Sequence, residues 1–155
     1  TASIPIANVY YNQSPPLAPA VQDVIVTLKR RGIKVRTLAR HQYVPLRKAE
    51  IVVLNPNPFQ ADAGNSLAVK LIYGKTAFLF LGDASRAVQD ELIDVYQSGL
   101  EAQAAVLPWS GILSPRFQEF LKGRLSIRVG FTAILQSDGK HVINAGPIPS
   151  PSRNS

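Results

Sequence analysis

The sequence predicts a mixed α/β fold of about seven to nine short strands with three helices, and three observations point there. Apolar runs at 51–54, 67–73 and 76–81 are short, rich in β-branched and aromatic residues and bounded by turn formers, as strands are. Stretches beginning near 20, 88 and 115 instead space their apolar residues at helical intervals. Gly74-Lys75 joins two of the strand runs. A two-residue loop with Gly first suits a type II′ hairpin, because Gly accepts the positive φ that matches strand twist.

In chain order, residues 7–11 read as a first strand and the Pro-rich stretch 12–19 as a rigid turn. Val21, Val24, Ile25 and Leu28 then follow helical spacing. Lys29, Arg30 and Arg31 fall at the end of that helix, where bases suit its dipole, and Gly32 can adopt the left-handed stop. Ile33, Val35 and Thr37 alternate with Lys34, Arg36 and Leu38, as in a strand with one face in water. Residues 41–46 read as a connection, and 47–50 lead into the strand at 51–54. The turn-rich stretch 55–65 is a surface loop on the same side as Asp83, because the strand at 76–81 runs straight into Gly82-Asp83-Ala84-Ser85. Val88, Leu92, Val95 and Tyr96 form the inner stripe of a second helix, ended by Gly99. A short buried strand at 104–107 stops at Pro108. Ser114-Pro115 opens a third helix with Phe117, Phe120 and Leu121 inside and Gly123 at its close. Residues 124–146 alternate loosely around Asp138-Gly139, the strongest hairpin signal, as two or three antiparallel strands. One domain over 1–146 and a Pro/Ser-rich tail at 147–155 are therefore expected.

A chain of 155 residues can bury roughly two-thirds of its unfolded surface, enough for one real core. No apolar run approaches the about 18 residues a membrane span needs. Cys is absent, which removes disulfides, thiolate metal sites and Cys nucleophiles. Met is absent too, so Thr1 is expected to have been exposed by cleavage or to begin an excerpt. The net charge of +7 is uneven: all eight bases of the first 60 residues lie between 29 and 48, and only Asp23 and Glu50 oppose them there. Lys29, Arg30, Arg31, Lys34, Arg36, Arg40, Arg47 and Lys48 read in two ways. They are a solvated helix end and a charged edge strand that discourages aggregation, or they are contacts for a nucleic acid or an acidic partner.

Asn55-Pro56, Asn65-Ser66-Leu67, Tyr73-Gly74, Phe78-Leu79 and Gly82-Asp83-Ala84 occur in an order and spacing that resembles the latter half of the metallo-β-lactamase-like domain of the ComEC competence and DNA-uptake family. The resemblance covers 6–121 and, weakly, 131–145. It implies half of an αββα sandwich, an extracytoplasmic setting, and a metal centre for hydrolysis. The family's His-x-His-x-Asp-His run has no counterpart here. Asp83 matches the family's strand-end aspartate, but Trp109 and Ser110 stand where the family has two histidines, and an indole has no lone pair for a metal. His41 and His141 have no second ligand at sequence spacing, whereas a catalytic zinc wants about three protein ligands.

The plainer alternatives stay open. Asp83 is a helix cap or a relic of a metal site. Trp109 fills the space of a lost metal site or offers an aromatic platform. Ser110 lacks the Gly-x-Ser-x-Gly setting and the His of a hydrolase nucleophile. Three functions follow. The first is a non-catalytic module without cofactor, derived from a metallo-hydrolase fold and docking on other subunits or on itself. The second is an enzyme half, a nuclease or phosphodiesterase completed by a separate His-rich half. The third is a sequence-nonspecific nucleic-acid binder that uses the basic segment.

Overall fold

The computed structural model describes residues 5–12, 19–57, 66–108, 110–124, 129–135 and 141–146. Its central hairpin joins β5 (Ala68–Tyr73) to β6 (Thr76–Phe80). Gly74 has φ +59 and Lys75 is not among the positive-φ residues, as a type II′ turn requires. β4 (Ala49–Asn55) lies antiparallel to β5 on one side, and β3 (Tyr43–Leu46) lies antiparallel to β4. On the other side β7 (Ala104–Val106) and β8 (Val129–Leu135) run parallel, and β9 (His141–Gly146) turns back against β8. The result is a seven-stranded mixed sheet in the order β3-β4-β5-β6-β7-β8-β9. β1 (Asn8–Asn12) and β2 (Lys34–Leu38) form a separate parallel pair, crossed over by α1 (Pro19–Arg30).

Alternation along β4 shows how the layers stack. Val52 and Leu54 face a core shared with Leu79, Leu81, Val88, Leu92 and Phe117, so α2 (Arg86–Tyr96) and α3 (Pro115–Arg124) cover that face. Ile51 and Val53 face the opposite way, into a smaller core with Leu38, Val44 and Tyr10, where the β1–β2 pair is seated. The layers therefore run α1, small sheet, large sheet, α2 with α3. Three α-helices and nine strands among the described residues match the mixed α/β architecture expected from the sequence.

α1 ends as its sequence asks. The Gly32 N–H donates to the Lys29 carbonyl and the Ile33 N–H to the Leu28 carbonyl, the pair of bonds of a Schellman stop, with Gly32 at φ +76. The Ser114 Oγ accepts the Phe117 N–H at 2.9 Å, the cap expected for α3.

Four expectations need correction. Residues 41–46 are not a plain connection, since Tyr43–Leu46 is an edge strand. Pro45 is tolerated there because, among the described residues, no strand lies on that side of β3 to receive an N–H. Gly99 does not end α2. Gln97 takes φ +45 and donates its N–H to the Ile93 carbonyl, and a 3-10 turn at Gln97–Leu100 then drops Leu100 into the core. α3 runs through Gly123 to Arg124. Ser85, not Asp83, caps α2, its Oγ accepting the Val88 N–H. The Asp138-Gly139 turn, most of the loop at 55–65 and the tail at 147–155 lie outside the described residues.

Candidate functional site

The carboxyl ends of β4 and β6 and the loop after β7 supply the chain's candidate chemistry. β6 leads into Leu81, whose N–H donates to the Val106 carbonyl, and then into Gly82 at φ +56. A Cβ at Gly82 would stand 2.6 Å from the Leu67 carbonyl oxygen, so only glycine fits both the dihedral and the space. The Asp83 N–H donates to the Ser66 Oγ at 3.1 Å, and the residue is exposed. Two loops are thus joined by a hydroxyl.

A buried amide joins the next pair. Gln89, fully buried on α2, donates to the carbonyls of Ala84 at 2.8 Å and Ile112 at 2.9 Å, and its Oε1 accepts the Ser114 N–H at 2.8 Å. An amide side chain can donate twice and accept at once. Gln89 therefore fixes the loop after β7 relative to the loop after β6. Within that loop the Gly111 N–H closes on the Pro108 carbonyl with Gly111 at φ +66, and the exposed Ser110 accepts the Ile112 N–H at 3.4 Å.

A second polar cluster lies at the end of β4. Arg40 donates from Nε to the Leu54 carbonyl at 3.0 Å, from one terminal nitrogen to Glu91 Oε1 at 2.7 Å, and from the other to Asn55 Oδ1 at 3.1 Å. Asn57 also reaches Glu91 Oε1, at 3.0 Å. The Tyr96 hydroxyl donates to the Leu54 carbonyl at 3.1 Å and stands 3.4 Å from His41 Nδ1. Burial, more than any neighbouring charge, pushes the Tyr96 phenol above its ordinary range. Seven residues from three segments hold one another here.

The sequence-derived site residues can now be placed. Asp83 and Ser110 sit on the loops after β6 and β7, both exposed, while Trp109 lies outside the described residues. Among the described residues no group of three His, Cys, Asp or Glu could hold a metal ion. His41 is engaged with Tyr96, their rings 5.7 Å apart. The donors that the structure brings together at Asp83, its own carboxylate and the Ser66 hydroxyl, do not fit a transition-metal site, which imidazole suits better. Of the eight bases, Lys29, Arg30, Arg31, Lys34, Arg36, Arg47 and Lys48 are exposed. Arg40 is the exception. Its side chain is only 9 % exposed and its guanidinium is occupied by Glu91, Asn55 and Leu54, so it belongs to the scaffold and not to a contact surface.

Sequence reasoning missed Asn55, Asn57, Gln89, Glu91 and Tyr96 as a polar framework. One signal was present: Gln89 adjoins Val88 in the inner stripe of α2, where a polar residue needs an internal partner. Nothing in the sequence connects Arg40 to Glu91.

No protein-family model matches the chain, and no curated protein matches it either. Solved structures do share part of its arrangement. Zn(2+)-bound PqqB from Methylobacterium extorquens is 12% identical with a TM-score of 0.41, covering 65% of this chain and 37% of PqqB. The CmlA beta-hydroxylase E377D mutant is 18% identical with a TM-score of 0.43, covering 64% of this chain and 20% of CmlA. Both are metallo-β-lactamase-fold proteins. This chain thus spans well under two-thirds of the length of either.

Proposed function

We propose that this chain is a non-catalytic contact module: the second half of a metallo-β-lactamase-like domain resembling that of the ComEC family, its hydrolytic centre lost, working as a subunit of a larger assembly. The observation that carries the reading is the nature of the groups at the carboxyl edge of the large sheet. Apart from Asp83, the described polar side chains there hold one another or the backbone: Asn55 the Ser66 carbonyl, Ser66 the Asp83 N–H, Gln89 the Ala84 and Ile112 carbonyls, Ser114 the Asp90 carboxylate, and Arg40 and Asn57 the Glu91 carboxylate. These groups are already engaged within the fold, the carboxylates of Asp90 and Glu91 included. They build a rigid edge in which Asp90 and Glu91 are held by Ser114 and Arg40 and Asp83 stands exposed apart from them, whereas hydrolysis would need a metal held by several converging donors. Asp83, Trp109 and Ser110 are in this reading the relics of that centre.

Elemental analysis of the purified chain tests the proposal. Less than about a tenth of an equivalent of zinc or manganese is expected after passage over a chelating resin, with no loss on Asp83→Asn. Stoichiometric metal that falls away in Asp83→Asn, together with chelator-sensitive phosphodiester hydrolysis, would overturn it.

A second reading, binding of a nucleic-acid backbone, is favoured by one specific observation. Seven exposed bases occupy the stretch 29–48, which contains no Asp or Glu. Backbone contacts of this kind predict affinity that falls steeply with salt and little sequence preference. Failure of a single-stranded oligonucleotide to shift at low salt would remove that reading and leave the first intact.

A further inference from the structure

The small sheet and the large sheet part company at one edge. Leu38 and Val44 meet in the smaller core, but further back along β2 the sheets diverge and leave a cleft of about 390 Å³. Tyr10, Arg36, Thr37, Gln42, Tyr43 and Pro45 contribute to its walls. Lys34, Arg36 and Leu38 share one face of β2, since strand side chains alternate, so the face that is apolar at the floor turns basic toward the mouth.

The opposite wall is an open strand edge. Among the described residues β3 pairs only with β4. The Val53 N–H donates to the Gln42 carbonyl, and alternation from that bond turns the backbone groups of Tyr43 and Pro45 outward. The edge therefore offers the Tyr43 N–H and carbonyl and the Pro45 carbonyl. A polypeptide in extended form can use such groups, whereas a nucleic-acid backbone, an acceptor, can use only the N–H.

From these features we infer that the cleft takes an extended acidic segment of a partner protein, added as a strand beside β3. In that position alternate side chains of the segment lie beneath Lys34 and Arg36. Carboxylates two residues apart repeat at about 6.6–6.8 Å, the spacing of the two bases on β2. The intervening side chains fall on the Tyr43 side of the sheet, where apolar groups are favoured. Arg47 and Lys48, exposed in the β3–β4 turn, extend the positive field beyond the cleft, and although Glu50 stands beside them on β4, the stretch 29–48 itself carries no acid. This names a partner for the proposed contact module, and metal analysis tests that module independently of the cleft.

The test is fluorescence anisotropy of the full chain with a labelled decapeptide of alternating Glu and Val. Binding at low salt is expected, weakened at least about tenfold by Arg36→Glu, an exposed substitution whose folding circular dichroism verifies. Methylating the backbone nitrogens of the peptide on the β3-facing side should weaken binding by a similar factor. Absence of binding, indifference to Arg36→Glu, or equal binding of the methylated peptide overturns the inference. So does an oligothymidine that binds more tightly than the peptide and loses its affinity in Arg36→Glu, because the cleft is then a nucleic-acid site.

Discussion

The large sheet carries helices on one face and the two-stranded sheet on the other, and the two sides are packed very differently. On the helix side Leu79, Leu81, Val88, Leu92, Leu100 and Phe117 are fully or almost fully buried in one continuous core. On the other side Leu38, Val44 and Val53 are the buried members of a small cluster, and α1 contributes no buried residue at all. Val21, Val24 and Val26 of α1 are 41 to 56% exposed. Both sides have amphipathic helices, so periodicity does not distinguish them. What differs is the area of sheet behind each helix: seven strands against two. Stability is therefore expected to reside mainly in the helix-side core, and the small sheet to be free to accept further contacts.

Substitutions can break this comparison, and the largest effect should come from the helix side. Phe117→Ala removes a ring with no exposed surface and is expected to cost about 3–5 kcal/mol in chemical denaturation. Next comes Arg40→Ala, expected to cost about 3 kcal/mol because it leaves Glu91 without its cation in a site where Arg40 is nine-tenths buried. Gly82→Ala should cost about 2 kcal/mol by forcing a side chain into the left-handed region against the Leu67 carbonyl.

Tyr96→Phe is milder, about 1 kcal/mol, since Arg40 still serves the Leu54 carbonyl. It also carries a pH signature. A phenol whose folded pKa is raised contributes stability below its unfolded value near 10 and loses it as pH rises through the folded value. The advantage of wild type over Tyr96→Phe should thus shrink as pH rises through the raised pKa, and the difference between the two proteins' tyrosine absorbance titrations should be centred above the ordinary phenol range. The smallest effect belongs to Val24→Ser in α1, within about 0.5 kcal/mol. A loss there comparable to that of Phe117→Ala would show that the small sheet bears as much load as the helix side.

Much of this fold was legible because local chemistry specifies it. Gly74 sets the central turn, Gly32 stops α1 and Ser114-Pro115 opens α3, and none of these needs a distant partner. The edge strand β3 was not legible, because Pro45 and the bases at 47 and 48 that protect an edge also make the segment look like a connection. Ending α2 at Gln97 was hidden for a different reason. Burial of Leu100 overrides the better left-handed propensity of Gly99. In the candidate site, Asp83 was placed correctly at a strand end, but its cap role belongs to Ser85. The Arg40 cluster was invisible, since a cation meets its carboxylate 51 positions away only once the sheet is folded. From the sequence, Arg40 was indistinguishable from the exposed bases around it.

Gln89 has a practical corollary. Because it grips the two loops through backbone carbonyls and one backbone N–H, it is indifferent to the side chains those loops carry. Foreign segments spliced between Pro108 and Ser114 should be held in place as long as they present a carbonyl and an N–H at the same two points. Such an edge can exchange what it displays while keeping its geometry.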